Sequence, residues 1–126
     1  MFRFSQQSYD RLRGVRPELI AVATRALALS TVDFGISEGL RTKERQAALV
    51  RQGASQTLRS RHLTGHAIDV VAYVEGAVRW DWPLYEQLAV VFKQAAAELR
   101  VPLEWGGDWA SLRDGPHYQL PWARYP

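Results

Sequence analysis

The run Ala67-Ile68-Asp69-Val70-Val71-Ala72-Tyr73, entered through Gly65, is rich in β-branched residues and reads as a strand. Side chains alternate along a strand, so Ile68, Val70 and Ala72 fall on one face and Ala67, Asp69 and Val71 on the other. The first set suits a hydrophobic core. The second presents one carboxylate among small or β-branched neighbours, as the floor of a site would. A strand of this kind needs an apolar layer behind it and leaves a chemical surface in front.

The segments around it supply that layer. Pro17 opens a periodic stretch with Leu19, Ile20, Ala23, Ala26 and Leu27, which predicts a helix to about Ser30. Residues 32–37 alternate as a short strand, and Thr42 caps a second helix that ends near Gly53. Residues 54–66 are polar and aperiodic, a loop. Glu75-Gly76 turns the chain into a returning strand at 77–80. Asp81 and Pro83 start a long helix with Leu84, Leu88, Val91, Phe92, Ala95 and Leu99 on one stripe, and Pro102 ends it. Short strands follow at 103–105 and 117–120. The order α-β-α-β-β-α-β-β predicts an α+β fold with a small, mostly antiparallel sheet packed with helices.

At 126 residues the chain has the usual length of one domain, and residues 1–126 are expected to form a single unit. It contains no cysteine, which excludes disulfide scaffolds, thiol nucleophiles and cysteine-ligated metal centres. Any catalytic metal must be held by His, Asp or Glu, and there are three histidines. No stretch approaches the ~18 apolar residues of a membrane span, and the N-terminus lacks a secretory apolar region. Synthesis in the cytoplasm without a signal peptide, and no stable membrane association, are therefore expected. Residues 1–63 hold 11 basic and 5 acidic residues, whereas 64–126 hold 5 and 8. The basic half could face an anionic polymer or simply be a solvated, arginine-rich surface.

The histidines are His62, His66 and His117. His62 and Asp69, with His117 on the last strand, make a three-ligand set for one zinc ion that leaves a position open for water. Zinc would polarise a carbonyl and activate the water, and a carboxylate must then accept its proton. Asp114 is the first candidate, because Gly115-Pro116 lets it turn toward the same point as His117. Glu104 and Asp108 are rivals, and His62 and His66 could instead be a helical i,i+4 pair. Trp105 and Trp109 flank Gly106-Gly107-Asp108 near His117, which suggests a loop offering aromatic surface to a substrate.

The combination is more specific than its parts. Ser60-x-His62-x-x-Gly65-x-Ala67-x-Asp69, then Trp105-Gly106-Gly107-Asp108-Trp109, then Asp114-Gly115-Pro116-His117-Tyr118 resembles the zinc peptidoglycan peptidases of the VanY-type D-Ala-D-Ala carboxypeptidase family. Within it, the strongest likeness is to phage endolysins that act as L-alanyl-D-glutamate endopeptidases. Ser37-Glu38-Gly39-Leu40-Arg41-Thr42-x-x-x-Gln46 is similar to that family's upstream block, so the resemblance covers most of residues 34–119. It implies a Hedgehog/DD-peptidase-like fold with His62, Asp69 and His117 on zinc and Asp114 as general base. Arg41 would polarise or anchor the substrate. Ser60 would support its loop or bind peptide backbone, and Gln46 would join Trp105 and Trp109 in binding substrate. His66 falls at a variable position and carries no role.

The expected substrate is then a peptidoglycan stem peptide, cut at the L-Ala-D-Glu bond. A D-Ala-D-Ala carboxypeptidase or dipeptidase of the same family is the neighbouring alternative. A non-catalytic zinc-stabilised binding module is another. No nucleic-acid-binding motif is present, so no nucleic-acid partner is expected. Nine residues follow His117, so no separate wall-binding domain is expected. A monomer acting in the periplasm after holin-type release completes the expectation.

Overall fold

The alternating run 67–73 becomes strand β2 (Ala67–Val74) in the interior of an antiparallel sheet. The computed structural model describes residues 2–55, 57 and 59–126. Among these, β1 (Asp33–Glu38) pairs with one side of β2. On the other side, β5 (His117–Gln119) pairs with the start of β2 and β3 (Ala77–Arg79) with its end. Strand β4 (Glu104–Trp105) lies outside β5. The expected α+β architecture with an antiparallel sheet is what the chain adopts.

Register sorts the two faces. Ile36 stands opposite Val70, Phe34 opposite Ala72, and Ile68 opposite Tyr118, and all six are buried in one cluster. Helices α2 (Pro17–Leu29) and α4 (Trp82–Leu99) cover this face. Phe92 of α4 stacks on Tyr118 with centroids 3.9 Å apart and packs against Phe34 at 5.3 Å. The buried arc of α4 is Tyr85, Leu88, Ala89, Phe92, Ala95 and Ala96. Leu99, expected on the stripe, is exposed because the helix ends there. Arg100 takes a left-handed conformation (φ 57°), so the stop precedes Pro102 by two residues.

Two elements differ from expectation. Helix α1 (Gln6–Arg11) has no apolar stripe of its own and is held by polar contacts to β1. The Ser8 hydroxyl accepts from Ile36 N (3.0 Å) and Arg11 Nη1 donates to Ile36 O (2.9 Å), so α1 covers an otherwise open sheet edge. The expected loop 54–66 contains a one-turn 3₁₀ helix, Arg61–Thr64, and ends at Gly65 (φ 76°). Gln56 and Leu58, within that loop, lie outside the described residues. Helix α3 (Lys43–Arg51) starts as predicted, with Thr42 Oγ1 accepting from Arg45 N at 3.0 Å.

Candidate metal centre

The face of β2 opposite the core carries Asp69, and pairing brings partners to it from both sides. His117 on β5 and Glu38 on β1 are its register neighbours. Glu38 reaches that position through a bulge between Ile36 and Glu38. By strict alternation it would share the core face with Phe34 and Ile36; the extra residue turns it to the site face. His62 arrives from the 3₁₀ turn, which Ser60 caps by accepting from His62 N at 3.2 Å.

His62, Asp69 and His117 offer one ligand atom each, all within 4.8 Å of one another. Asp69 Oδ1 lies 3.3 Å from His62 Nε2 and 3.0 Å from His117 Nδ1. Two ligands on a tetrahedral zinc stand about 3.3 Å apart, given metal bonds of ~2.0–2.1 Å, so the spacing suits that ion. Both rings are oriented from behind. A carbonyl can only accept, so His62 Nδ1–H donates to Gly39 O (2.9 Å) and Nε2 is left aimed at Asp69. That Nε2 is buried without a hydrogen-bond partner among the described residues, as a donor to a metal would be. His117 Nε2 donates to Gln119 Oε1 (2.8 Å), and Gln119 Nε2 donates to Glu104 Oε2 (2.8 Å), which fixes the amide and turns Nδ1 to Asp69. Gly39 is required sterically, because a Cβ there would collide with the Arg11 carbonyl.

The electrostatics separate the two carboxylates. Burial works against the charge on Asp69, but the hydrogen bond from His117 and the closeness of both imidazoles outweigh it, holding the carboxyl well below its usual range. Burial alone would lower the His117 pKa; the Asp69 hydrogen bond and charge reverse that and raise it. Asp114 moves the other way. Burial and then the Asp69 charge push its carboxyl up, against the opposing pull of His117, His62 and Arg41. One carboxylate is kept ionised as a ligand would be, the other is made more basic.

All four of these residues, with Arg41, Ser60 and Trp109, line one cleft of about 400 Å³. Asp114 N donates to Gly106 O (3.0 Å), and a Cβ at Gly106 would collide with the Asp114 carbonyl, so the turn carrying Asp114 is packed against that glycine. Trp109 sits beside His117, centroids 5.2 Å apart. The rival carboxylates lie elsewhere: Asp108 pairs with Lys93 on the surface (2.7 Å) and Glu104 accepts from Gln119. His66 lies beyond Gly65 and bonds Thr64 Oγ1 (2.7 Å), so it does not form a helical pair with His62.

Arg41 is nearly buried and locked. Its Nε and Nη2 each lie 2.7 Å from a Glu38 carboxylate oxygen, and Nη1 donates to Gln46 Oε1 (2.7 Å). The looser donors face the cleft, Nη1 toward Ser60 Oγ (3.4 Å) and Nη2 toward Asp69 Oδ2 (3.8 Å).

Two residues expected to bind substrate, Gln46 and Trp105, do not line the cleft. Gln46 is 1% exposed, with its amide committed to Arg41, Ser55 Oγ and the Thr57 carbonyl, so it braces Arg41, Ser55 and Thr57. Trp105 belongs to β4 and the core, not to a loop, packing on Trp82 at 5.8 Å. Its indole N–H donates to Gly115 O (2.7 Å), so it anchors the Asp114–Gly115 turn from the inside. The sequence reading also missed what Glu38 and Gln119 do. The signals were an acid three residues before Arg41 and a glutamine sharing the His117 face.

Residues 1–119 match the family described as phage L-alanyl-D-glutamate peptidase. The chain is 38% identical over 117 residues to the L-alanyl-D-glutamate peptidase of Escherichia phage T5, covering 90% of this chain and 85% of that protein. It superimposes on the crystal structure of the Serratia marcescens L-Ala D-Glu endopeptidase ChiX with TM-score 0.94 and 52% identity, covering 100% of this chain and 94% of ChiX. The vancomycin-resistance D,D-dipeptidase VanXYg shares the fold at TM-score 0.55 and 18% identity, covering 84% of this chain and 50% of that one.

Proposed function

The chain belongs to the phage L-alanyl-D-glutamate peptidase family, and from that premise we propose that it is a zinc-dependent endopeptidase cutting the L-Ala–D-Glu bond of peptidoglycan stem peptides. The observation that carries the zinc assignment is the orphaned Nε2 of His62, aimed at Asp69 and His117 in a donor set of two imidazoles and a carboxylate. When bound, zinc supplies Lewis acidity to the scissile carbonyl and to a water nucleophile.

The protein's own groups do the rest. Asp114 accepts a proton from the attacking water and returns it to the leaving amine, a task that its raised pKa favours. Arg41, held rigid by Glu38 and Gln46, keeps a positive charge at the cleft wall as negative charge builds on the carbonyl oxygen. Its immobility means no reorganisation is needed as that charge develops. Gln119 and the Gly39 carbonyl keep the two imidazoles facing inward. Ser60 holds the turn that presents His62, and Trp109 forms an apolar wall for the peptide beside His117.

One hydrophobic cluster unites α2, α4 and the sheet, which supports residues 1–126 as one catalytic domain. Among the described residues no helix is long and apolar enough to cross a membrane. The proposal extends to a monomer that reaches the wall through a holin-type pore, in keeping with the lytic enzymes of phages.

Metal analysis together with digestion of purified peptidoglycan tests the assignment. The expected result is one zinc per chain, chelator-sensitive release of fragments bearing a new D-Glu amino terminus, and an Asp114→Asn variant that keeps zinc but loses turnover. Release of D-Ala instead would move the protein to the D,D-peptidase activity. Bound zinc with no fragment released would leave a binding module.

A further inference from the structure

Glu38, Arg41, Asp69 and Asp114 line the cleft with the two candidate ligand histidines, and Thr57, Arg59 and Trp122 line both this cleft and a shallower hollow. Trp122 is 44% exposed, yet its ring is held in place. The guanidinium carbon of Arg61 lies 4.0 Å from the ring centroid and that of Arg59 lies 5.5 Å away. Arg61 is itself buried, at 4% exposure. Its Nε and Nη2 donate to the Leu120 carbonyl (3.2 and 3.0 Å) and Nη2 also to the Tyr125 carbonyl (2.6 Å). A buried cation therefore braces the chain on both sides of Trp122 while stacking on its ring. Arg59, by contrast, is exposed and forms no ion pair among the described residues.

We propose that Arg59 and Trp122 form a carboxylate-binding subsite at the mouth of the cleft, for a free carboxylate of the peptide flanking the scissile bond. The ligand's identity rests on the peptidase assignment; the subsite itself rests on the exposed Arg59 guanidinium beside the braced Trp122 ring in the cleft. Arg59 offers an exposed guanidinium in the same cleft as the metal centre, with no ion pair of its own among the described residues, so a peptide bearing a second carboxylate can be oriented as it binds. The guanidinium fork suits a carboxylate, and the rigid indole offers apolar surface to the methylenes that carry it.

Calorimetric titration of Asp114→Asn protein, expected to hold the ligand without cutting it, compares N-acetyl-L-Ala-D-Glu with its neutral bis-amide. The acid is expected to bind about fivefold more tightly than the amide, the upper range of a partly exposed ion pair. Adding Arg59→Gln should collapse that ratio toward unity by weakening the acid alone, with Arg59→Lys restoring part of it. The Trp122 indole N–H resonance, identified by its loss in Trp122→Phe, should shift on adding the acid. An acid preference that survives Arg59→Gln would place the carboxylate on the metal and overturn the subsite, as would no preference at all. Wild-type digestion of peptidoglycan separates the two ideas. An Arg59-dependent preference without L-Ala–D-Glu cleavage keeps the subsite and discards the activity; cleavage with an Arg59-independent ratio does the reverse.

Discussion

The two faces of β2 are built by different rules, although their residues alternate one by one. Behind the strand, Ile68, Val70 and Ala72 pack with Phe34, Ile36, Tyr118 and Phe92, and shape is what matters. In front, Asp69 is surrounded by His62, His117, Glu38 and Arg41, and both imidazoles and the guanidinium are oriented by a second group further out. The core face gains stability from burial and tolerates any apolar group of the right volume. The site face gathers charges at a desolvation cost and is held by the rigidity of the core behind it. Stability and activity should therefore separate cleanly between side chains that are neighbours in sequence.

The largest expected effect lies at the front. Asp114→Asn keeps the backbone turn against Gly106 but removes the proton acceptor, so kcat should fall by about 10²–10⁴ with the melting temperature almost unchanged. Steady-state kinetics beside a thermal melt checks both halves, and parallel losses would end the separation of the faces. Behind the strand, Phe92→Ala removes the ring stacked on Tyr118 and packed against Phe34 and should cost about 3–5 kcal/mol in denaturant unfolding. Whatever protein remains folded should turn over normally; a collapse of kcat in the folded fraction would show that the faces are coupled.

Gln119→Leu probes the contact between orientation and binding. Without the amide acceptor the His117 ring loses its anchor, and zinc affinity should drop by about 10–100-fold in a competition titration. Unchanged affinity would mean that sheet packing alone orients the ring. The smallest effect is a gain. The Tyr118 hydroxyl is buried with no hydrogen-bond partner among the described residues, and burial drives its pKa far above the usual value. Tyr118→Phe should raise stability by about 1 kcal/mol and leave kcat alone, although Tyr118 sits directly after His117. A loss of stability would reveal a partner for that hydroxyl.

Much of this was legible beforehand because it is written in local periodicity. The stripe of α4, the Thr42 cap, the alternation of β2 and the shared face of His117 and Gln119 all follow from spacing within one element. Helix α1 was not legible, since six residues without an apolar stripe carry no periodic signal and their anchors lie on β1. The engagement of Trp105 and Gln46 within the fold is hidden from the sequence for a related reason. A tryptophan beside two glycines and a glutamine in a motif look available for a ligand, and only their partners, Gly115 and Thr57, show that they are already engaged.

By itself the sequence determined which chemical groups exist and which side of its own strand or helix each one takes, because backbone geometry sets a period of two or 3.6 residues. It also determined, through the absence of cysteine, that any metal must rest on imidazole and carboxylate. What stands opposite what was decided by the tertiary structure alone. Register set Asp69 against His117, and one bulge moved Glu38 from the core face to the site face, where it locks Arg41. Those choices depend on how separate segments pair across the sheet, and a shift of one residue there exchanges the faces without altering a single local preference.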